Sequence, residues 1–436
     1  MSDETGVVVG LSHDGEGIIR GGKTVLVAGA LPGETVRYRR VRRHRQYDEG
    51  RLEAVLEPAA IRVPARCRHF DICGGCALQH LEQGRQLELK QQQLAESLER
   101  IARLAPPRWL EPIRSTPWAY RRRARLGVKY VAKKGRVLVG FRERSSHLIA
   151  SLESCEVLAA PIGALINPLA ALIEQLSIRE QLPQIEVAVG ETASALVLRV
   201  LTTPAERDLT LLREFELRHA VRFYLQSGGL DSVRVLTEPA PRLAYTLPDA
   251  GVELEFAPTD FIQINAEANR SLVMAAATLL ELDAEARVLD LFCGLGNFAL
   301  PLARRAARVV GVEGDAALVE RARANARHNG IDNAEFHRAD LASSAAERWL
   351  GQPFTHVLLD PPRAGARELL PGIARLAPRR LLYVSCHPGT LARDLGILVH
   401  ELGFELLAAG VVDMFPHTAH VESLAVLTPH GGGRGH

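Results

Sequence analysis

The chain has 436 residues, 47% of them apolar and 24% charged, with a formal net charge of +2. This length predicts two or three domains with cores of their own. No apolar run is long enough to span a bilayer, and the N-terminus is charged where a signal peptide is apolar, so the sequence reads as soluble and intracellular.

Charge is unevenly spread. Residues 37–45 hold six arginines, and residues 58–150 hold 19 Lys/Arg against 7 Asp/Glu, an excess of 12. Such asymmetry predicts a polyanionic partner held through its phosphates. A solvated arginine face has the same composition. Within residues 1–57, short alternating runs at 6–9, 17–20, 23–27 and 34–38 are separated by Gly and Pro turns, and a last run covers 50–56. This spacing predicts a small β-barrel. The turns Asp14-Gly-Glu-Gly and Leu31-Pro-Gly-Glu make it resemble a TRAM domain, an OB-like RNA-binding module. OB-type barrels bind single strands through basic grooves and stacking aromatics. Tyr38 and Tyr47 flank the arginine run and suit either stacking or the barrel core.

Cys67, Cys73 and Cys76 follow, with Cys155 far downstream. Six cysteines in a chain this long do not read as a disulfide framework. Four thiolates of this kind predict a metal, and on spacing alone a four-cysteine set suits zinc and iron–sulfur equally. Gly74 and Gly75 let the backbone wrap closely and turn N–H groups towards sulfur; His69 is a further candidate ligand. Residues 80–104 carry an apolar stripe of Leu81, Leu87, Leu94, Leu98 and Ile101, which predicts a helix. Residues 118–150 read as basic hairpin, with Trp118 and Tyr120 beside Arg121, Arg122, Arg123 and Arg125. A helix over 162–175 and strands over 184–189 and 195–201 complete a mixed α+β middle domain, 58–255.

The last domain, 256–436, carries the chemistry. Phe261-Ile-Gln263-Ile-Asn265 presents a polar face just before a long helix, where Gln263 and Asn265 need partners: a bound base or cofactor, or the helix end itself. An apolar strand over 287–292 then turns through Gly294 and Gly296 and becomes helical after Asn297. Strand, glycine turn and helix open a nucleotide-binding α/β unit. The next strand ends on Glu313, roughly 20 residues past the glycines, where a carboxylate accepts from a ribose diol. Two more strands end on Asp340 and on Asp360-Pro-Pro, so Asp290, Glu313, Asp340 and Asp360 fall on one rim of an α/β sheet. A further strand ends on Cys386, followed by His387 and Pro388. A cysteine there is exposed as a nucleophile would be. His387 points the opposite way along extended chain and is not its base. Glu422, at the start of the last strand, reads as a general base or as an ordinary strand-end carboxylate. The His- and Gly-rich residues after Pro429 predict a disordered tail.

The pattern Asp290-Leu-Phe-Cys-Gly-Leu-Gly-Asn297, with Glu313 and Asp360-Pro-Pro, resembles the Rossmann-like S-adenosylmethionine fold more than a dinucleotide dehydrogenase. With Phe261-Ile-Gln263-Ile-Asn265, Ser385-Cys386-x-Pro388 and His420-Val-Glu422, the last 180 or so residues resemble the bacterial RNA uracil-C5 methyltransferase family. The resemblance implies Cys386 as nucleophile and Glu422 as base. It implies a cofactor and uracil pocket of Gln263, Phe292, Asn297, Glu313, Asp340 and Asp360. It also implies a [4Fe-4S] cluster on Cys67, Cys73, Cys76 and Cys155. Within the family, a TRAM barrel and a cysteine set together are most similar to enzymes of 23S ribosomal RNA. The expected protein is therefore a cytoplasmic monomer with no membrane and no obligate protein partner. Asp340 and His387 stand where the family pattern has asparagine, and His387 is expected to make the pocket more basic. Transfer RNA is the alternative substrate. A radical methylthiotransferase would need three residues, not five, between its first two cluster cysteines, and an RNA-binding protein with a decayed site would have no use for Cys386 and Glu422.

Overall fold

The structure, a computed structural model, describes residues 3–341 and 347–430. The tail expected to be disordered lies, from residue 431 on, outside them. Strands β1 (Glu4–Leu11), β2 (Gly17–Ile19), β3 (Thr24–Val27), β4 (Thr35–Arg43) and β5 (Tyr47–Glu57) close a barrel in the order β1-β2-β3-β5-β4. Alternation turns Val8, Ile19, Val25, Val27, Val36 and Tyr38 inwards. Tyr38 is thus core, and Tyr47 stacks on His44 at 4.5 Å between centroids. Part of the arginine run is neutralised within the barrel: Arg39 pairs with Asp3, and Arg40 with Glu4 and Asp48. Arg37, Arg43 and Arg45 are exposed and have no ion pair among the described residues. The basic surface is narrower than the composition implied.

Helix α1 (Gln83–Ser97) comes next, shorter than its stripe predicted. It passes into a π-helical turn, Leu98–Ala102, and stops at Arg103 with φ of 55°. The extra residue of a π turn rotates the stripe, so Leu98 is buried while Ile101 is 53% exposed. The middle sheet runs β11-β10-β9-β8-β6-β7, from β6 (Arg123–Val131), β7 (Arg136–Gly140), β8 (Gln184–Val189), β9 (Ser194–Arg199), β10 (Arg222–Gln226) and β11 (Arg234–Val235). Helices α2 (Ile166–Gln175) and α3 (Glu206–His219) supply the core against it, with Leu169, Ile173, Leu212 and Phe215 meeting Ile185, Leu198 and Phe223. A hairpin of β12 (Ala244–Leu247) and β13 (Val252–Glu255) leads to α4 (Ala266–Leu279).

The large sheet contains β14 (Arg287–Leu291), β15 (Arg308–Glu313), β16 (Ala334–Arg338), β17 (His356–Leu359), β18 (Arg380–Ser385), β19 (Phe404–Val412) and β20 (Glu422–Pro429). Its order is β16-β15-β14-β17-β18-β20-β19. The first five are mutually parallel, and β20 is inserted antiparallel between β18 and β19. Of the parallel strands, β14, β15, β17 and β18 are buried on both faces, which is why they read as continuous apolar runs, whereas the edge strand β16 buries only Phe336. Between them run α5 (Ala299–Ala303), α6 (Ala316–His328), α7 (Glu347–Leu350), α8 (Leu370–Leu376) and α9 (Pro388–His400). Strand order reverses between β14 and β17, and in such sheets ligands bind outside the carboxyl ends at the reversal.

Helix α1 packs far from its sequence neighbours. Leu87, Leu94 and Leu98 join Leu391, Leu395 and Phe404 in the core of the large sheet. Lys90 lies in the same stripe and is completely buried; its Nζ donates to Asp413 Oδ1 at 2.8 Å and to the Phe415 carbonyl at 2.9 Å. Removing one partner of a buried pair leaves an uncompensated charge, so Lys90→Met is expected to cost about 3–5 kcal/mol in urea unfolding. Adding Asp413→Leu should recover much of that loss; a double variant no better than the single one would contradict a buried pair.

Candidate active site

The rim begins where β14 ends. Phe292 takes φ of 67°, a strained value for a bulky residue, and its N–H donates to the Val312 carbonyl at 2.9 Å. Gly294 and Gly296 complete the turn at φ of 55° and 97°, and a Cβ on Gly296 would stand 3.0 Å from Leu300. Glu313 closes β15. One of its oxygens accepts from Gly294 N–H at 3.1 Å, the other from Gly314 and Asp315 N–H at 2.7 and 3.1 Å. Three amides therefore fix the carboxylate, and its remaining lone pairs can still accept from a ligand diol. Asn297 exchanges amide bonds with Asn269 at 2.8 and 2.9 Å and accepts from Tyr245 O–H at 2.8 Å. Asp340, just past β16, is exposed on the same rim.

Asp290 is completely buried, and neither carboxylate oxygen has a hydrogen-bond partner. Burial pushes its pKa well above the usual range, Asp360 and Glu313 add to this, and the nearby Ala299 amide opposes it. An orphaned buried carboxyl is costly. Beside a glycine turn and a fixed ribose acceptor, it fits a ligand that brings hydrogen-bond donors or positive charge, as S-adenosylmethionine does.

Cys386 follows β18, and Glu422 opens β20. The two strands pair antiparallel with Ser385 opposite Ser423, so Cys386 and Glu422 are the next pair outward. Asp360 stands at the end of neighbouring β17, and Gln263 Nε2 donates to its Oδ2 at 3.4 Å. The trio is held towards its protonated forms. Burial pushes the Asp360 carboxyl up to about 7. Burial, then Asp360, pushes Glu422 well above its usual range. Burial, then Glu422 and Asp360, raises the Cys386 thiol, against the pull of Arg363. A thiol between two carboxyls at a sheet's carboxyl end is equipped for nucleophilic attack coupled to proton transfer.

His387 has a different task from the one expected. It caps α9, its Nδ1 accepting from Thr390 N–H at 3.2 Å. Burial, His13 and Arg363 all lower its pKa. It therefore does not make the pocket more basic; it performs the capping that asparagine also performs well. Its ring meets His13 of the barrel edge-on at 5.6 Å. Asn265 likewise caps α4, Oδ1 accepting from Ala268 N–H at 3.1 Å. Of the two polar residues before that helix, Gln263 alone reaches the carboxyl trio.

The loop before β20 gathers residues from the whole chain. Ala77 and Leu78 N–H both donate to the His417 carbonyl at 2.9 Å. His417 N–H donates to Gln86 Oε1 at 2.9 Å, and Tyr120 O–H to the Pro416 carbonyl at 2.9 Å. Trp118 packs on the His417 ring at 4.0 Å. Arg363 Nη2 donates to His420 Nδ1 at 3.2 Å. The aromatic pair among the arginines is used here.

Cys67, Cys73, Cys76 and Cys155 line one small cavity with Gly75, Phe141 and Leu152. Gly75 N–H donates to Cys73 Sγ at 3.4 Å. Cys155 is brought in by close backbone approach, since a Cβ on Gly163 would stand 2.4 Å from its carbonyl oxygen. Burial pushes Cys73 up to about 11 and Cys76 up to about 12. His69 Nε2 accepts from Glu153 N–H at 3.1 Å and is spent there. Among the described residues, no group of three or more His, Cys, Asp or Glu stands in metal-binding geometry. The fit to a metal centre is one of donor chemistry: four thiols share a mostly apolar cavity with an amide directed at sulfur.

A family model described as tRNA (Uracil-5-)-methyltransferase matches residues 82–429. The chain belongs to that family. Proteins named 23S rRNA (uracil(1939)-C(5))-methyltransferase RlmD from Alkalilimnicola ehrlichii and Methylococcus capsulatus are 51% and 50% identical to it, over 96% and 95% of this chain and 95% and 94% of their own. The crystal structure of Pyrococcus abyssi tRNA (uracil-54, C5)-methyltransferase, in complex with S-adenosyl-L-homocysteine, is similar with a TM-score of 0.76 and 25% identity, covering 98% of this chain and all of its own. Membership makes the large sheet an α/β methyltransferase fold. The closed five-stranded barrel precedes it.

Several residues of this uracil-5-methyltransferase site escape a reading by motif. Lys90 was missed, although a lone charge inside an apolar stripe was the signal that could have found it. His13, Asn269 and Tyr245 carried no such signal, because only tertiary packing brings them to the rim. The raised carboxyls have a consequence for stability. A folded state that holds protons the unfolded chain has shed loses stability as pH rises. The Asp360 contribution is present below its ordinary 3.8 and is lost as pH climbs through about 7. Asp360→Asn is expected to flatten the fall of melting temperature across that window; an unchanged profile would contradict the raised carboxyl.

Proposed function

We propose that this chain methylates carbon 5 of a uridine in 23S ribosomal RNA, with S-adenosylmethionine as methyl donor. The observation that carries the reading is the meeting of Cys386, Glu422 and Asp360 at the ends of three adjacent strands. Carbon 5 of a pyrimidine is a poor nucleophile. Cys386, as thiolate, adds to carbon 6, and the electron pair released makes carbon 5 enolate-like. S-adenosylmethionine supplies the electrophilic methyl group that carbon 5 takes. Glu422 then removes the carbon 5 proton, the double bond re-forms and Cys386 leaves. Covalent attack divides one hard step into easier ones. Asp360 hydrogen-bonds the base edge, and its protonated form offers the uracil a donor. Gln263, Phe292, Asn297, Glu313 and Asp340 line the donor's side of the pocket. The uridine must leave its stack to arrive, and Phe261, 65% exposed, offers it a ring to stack on.

The ribosomal substrate is favoured by half-identity over nearly the full chain to proteins named for 23S rRNA, against a quarter for the transfer-RNA enzyme. The enzyme divides into an RNA-binding barrel (1–57), a middle domain with a [4Fe-4S] cluster on Cys67, Cys73, Cys76 and Cys155 (58–255) and the methyltransferase domain (256–436). It works in the cytoplasm as a monomer.

RNA transcribed with 5-fluorouracil tests the chemistry, because fluorine blocks the final proton removal. With S-adenosylmethionine, 23S RNA is expected to give a shifted band on a denaturing gel that Cys386→Ala abolishes. Glu422→Gln should accumulate the same adduct on ordinary uridine. A band with transfer RNA alone would overturn the substrate, and turnover by Cys386→Ala would overturn the mechanism. For the cluster, anaerobic purification should give a coloured protein, and Cys73→Ser should lose the visible absorption. A colourless native protein holding zinc would replace iron–sulfur by the other metal that four thiolates suit.

A further inference from the structure

A large cleft lies away from the catalytic trio. It measures about 1110 Å³ and runs between the barrel and the cysteine loop, slightly above the roughly 300–1,000 Å³ typical of ligand pockets. Its floor is aromatic. Phe70 packs 5.1 Å from His80, and the Arg144 guanidinium lies 4.7 Å over the Phe70 ring. His80 is 3% exposed, and neither ring nitrogen has a hydrogen-bond partner. Burial, with Arg62 and Arg144, pushes its pKa down to about 4 against the pull of the nearby Gly29 carbonyl, so the neutral ring keeps its acceptor nitrogen in reserve. Arg51 and Arg68 stand exposed at the edge, and Glu16 and Asp71 add acceptors. That mixture suits the edge of a nucleobase better than a bare phosphate.

A second cleft, of about 340 Å³, continues the first. It shares Glu16, Ala28, Gly29, Arg144 and Ser145 with it, passes over Gly74 and Gly75, and reaches Asp14. Asp14 is one residue from His13, whose ring meets His387 beside Cys386. The two clefts together run from the aromatic floor to the barrel's first turn, beside which His13 meets His387, the neighbour of Cys386.

We propose that this cleft is a second base pocket, which takes an unpaired nucleotide of the same RNA strand whose uridine reacts at Cys386. This rests on the RNA-methylation reading above. The base stacks on the outer face of the Arg144 guanidinium, which Phe70 backs, and pairs its edge with His80, while Arg51 and Arg68 meet the flanking phosphates. Such a pocket fixes the register of a single strand, so that one uridine reaches the thiol.

The test uses full-length protein and a 5-fluorouracil transcript of the 23S RNA region that carries the reactive uridine. Exposed Ala60 lines the cleft, and Ala60→Trp would obstruct it; His80→Leu would remove its polar edge. Both are expected to weaken RNA binding at fixed salt roughly tenfold, the order that a stacked base contributes, with melting temperature unchanged. At saturating RNA both should still form the Cys386 adduct. In addition, irradiating the wild-type complex with a 4-thiouridine transcript should label a peptide spanning Phe70 or His80. Unchanged affinity in a folded variant, or labels confined to the catalytic domain, would overturn the pocket and leave the cleft to a partner other than RNA. Loss of the wild-type adduct would instead strike the catalytic reading.

Discussion

The ion pair between Lys90 and Asp413 is the constraint on which the active site rests. Both side chains are almost completely removed from water, so neither charge can be left without the other. Asp413 comes directly after β19 and begins the loop that ends at Glu422. Its carbonyl accepts from Ser115 O–H at 2.9 Å, and Ser115 in turn accepts from the Asn265 side-chain amide at 2.8 Å. One buried network thus ties α1, the segment before the middle sheet, the start of α4 and the catalytic loop. Buried ion pairs contribute little net stability, but they are intolerant of misplacement. Here that intolerance serves position: Glu422 is delivered to the rim by a loop whose start is fixed by charge.

The same loop explains how the barrel, the cysteine loop and the large sheet meet at one site. The His417 carbonyl accepts from two amides directly after Cys76. The cysteine loop therefore grips the backbone five residues from Glu422. The barrel approaches from the other side, where a Cβ on Gly15 would stand 3.2 Å from Ala419. Anything that sets the shape of the cysteine loop, a metal centre above all, sets the path of the catalytic loop. The barrel is the third wall of the same space. The distance between sequence positions 13, 76 and 420 hides a contact region only a few side chains wide.

Much of this was legible. The strand ends at Glu313, Asp360 and Cys386 could be read because parallel strands are continuous apolar runs that stop at the rim. The glycine turn and the barrel's alternation were equally direct. What was not legible followed from packing. Ile101 fell off its stripe because a π turn shifted the phase. The arginine run overstated the basic surface because Asp3, Glu4 and Asp48 are recruited from other parts of the barrel. Asn265 and His387 looked like site chemistry and proved to be helix caps, a role that short-range sequence cannot separate from ligand contact. Asp290 was placed on the rim by its position, yet it is wholly buried with its carboxyl unpartnered. Neither a pKa nor a missing partner is written in a motif.

The insertion of β20 between β18 and β19 also sets an order on biosynthesis. The ribosome releases β20 after every other strand of the sheet, yet it fills a slot inside the sheet and not at its margin. Until residues 422–429 emerge, β18 and β19 have no strand between them, and each presents an unpaired edge to any strand it meets. Glu422 is also the first residue of that strand. A nascent chain that already has its barrel, its cysteine loop and its thiol therefore lacks the carboxyl that stands beside that thiol. It gains that carboxyl in the same event that seals the sheet, so completion of the site and protection from edge-to-edge aggregation arrive together.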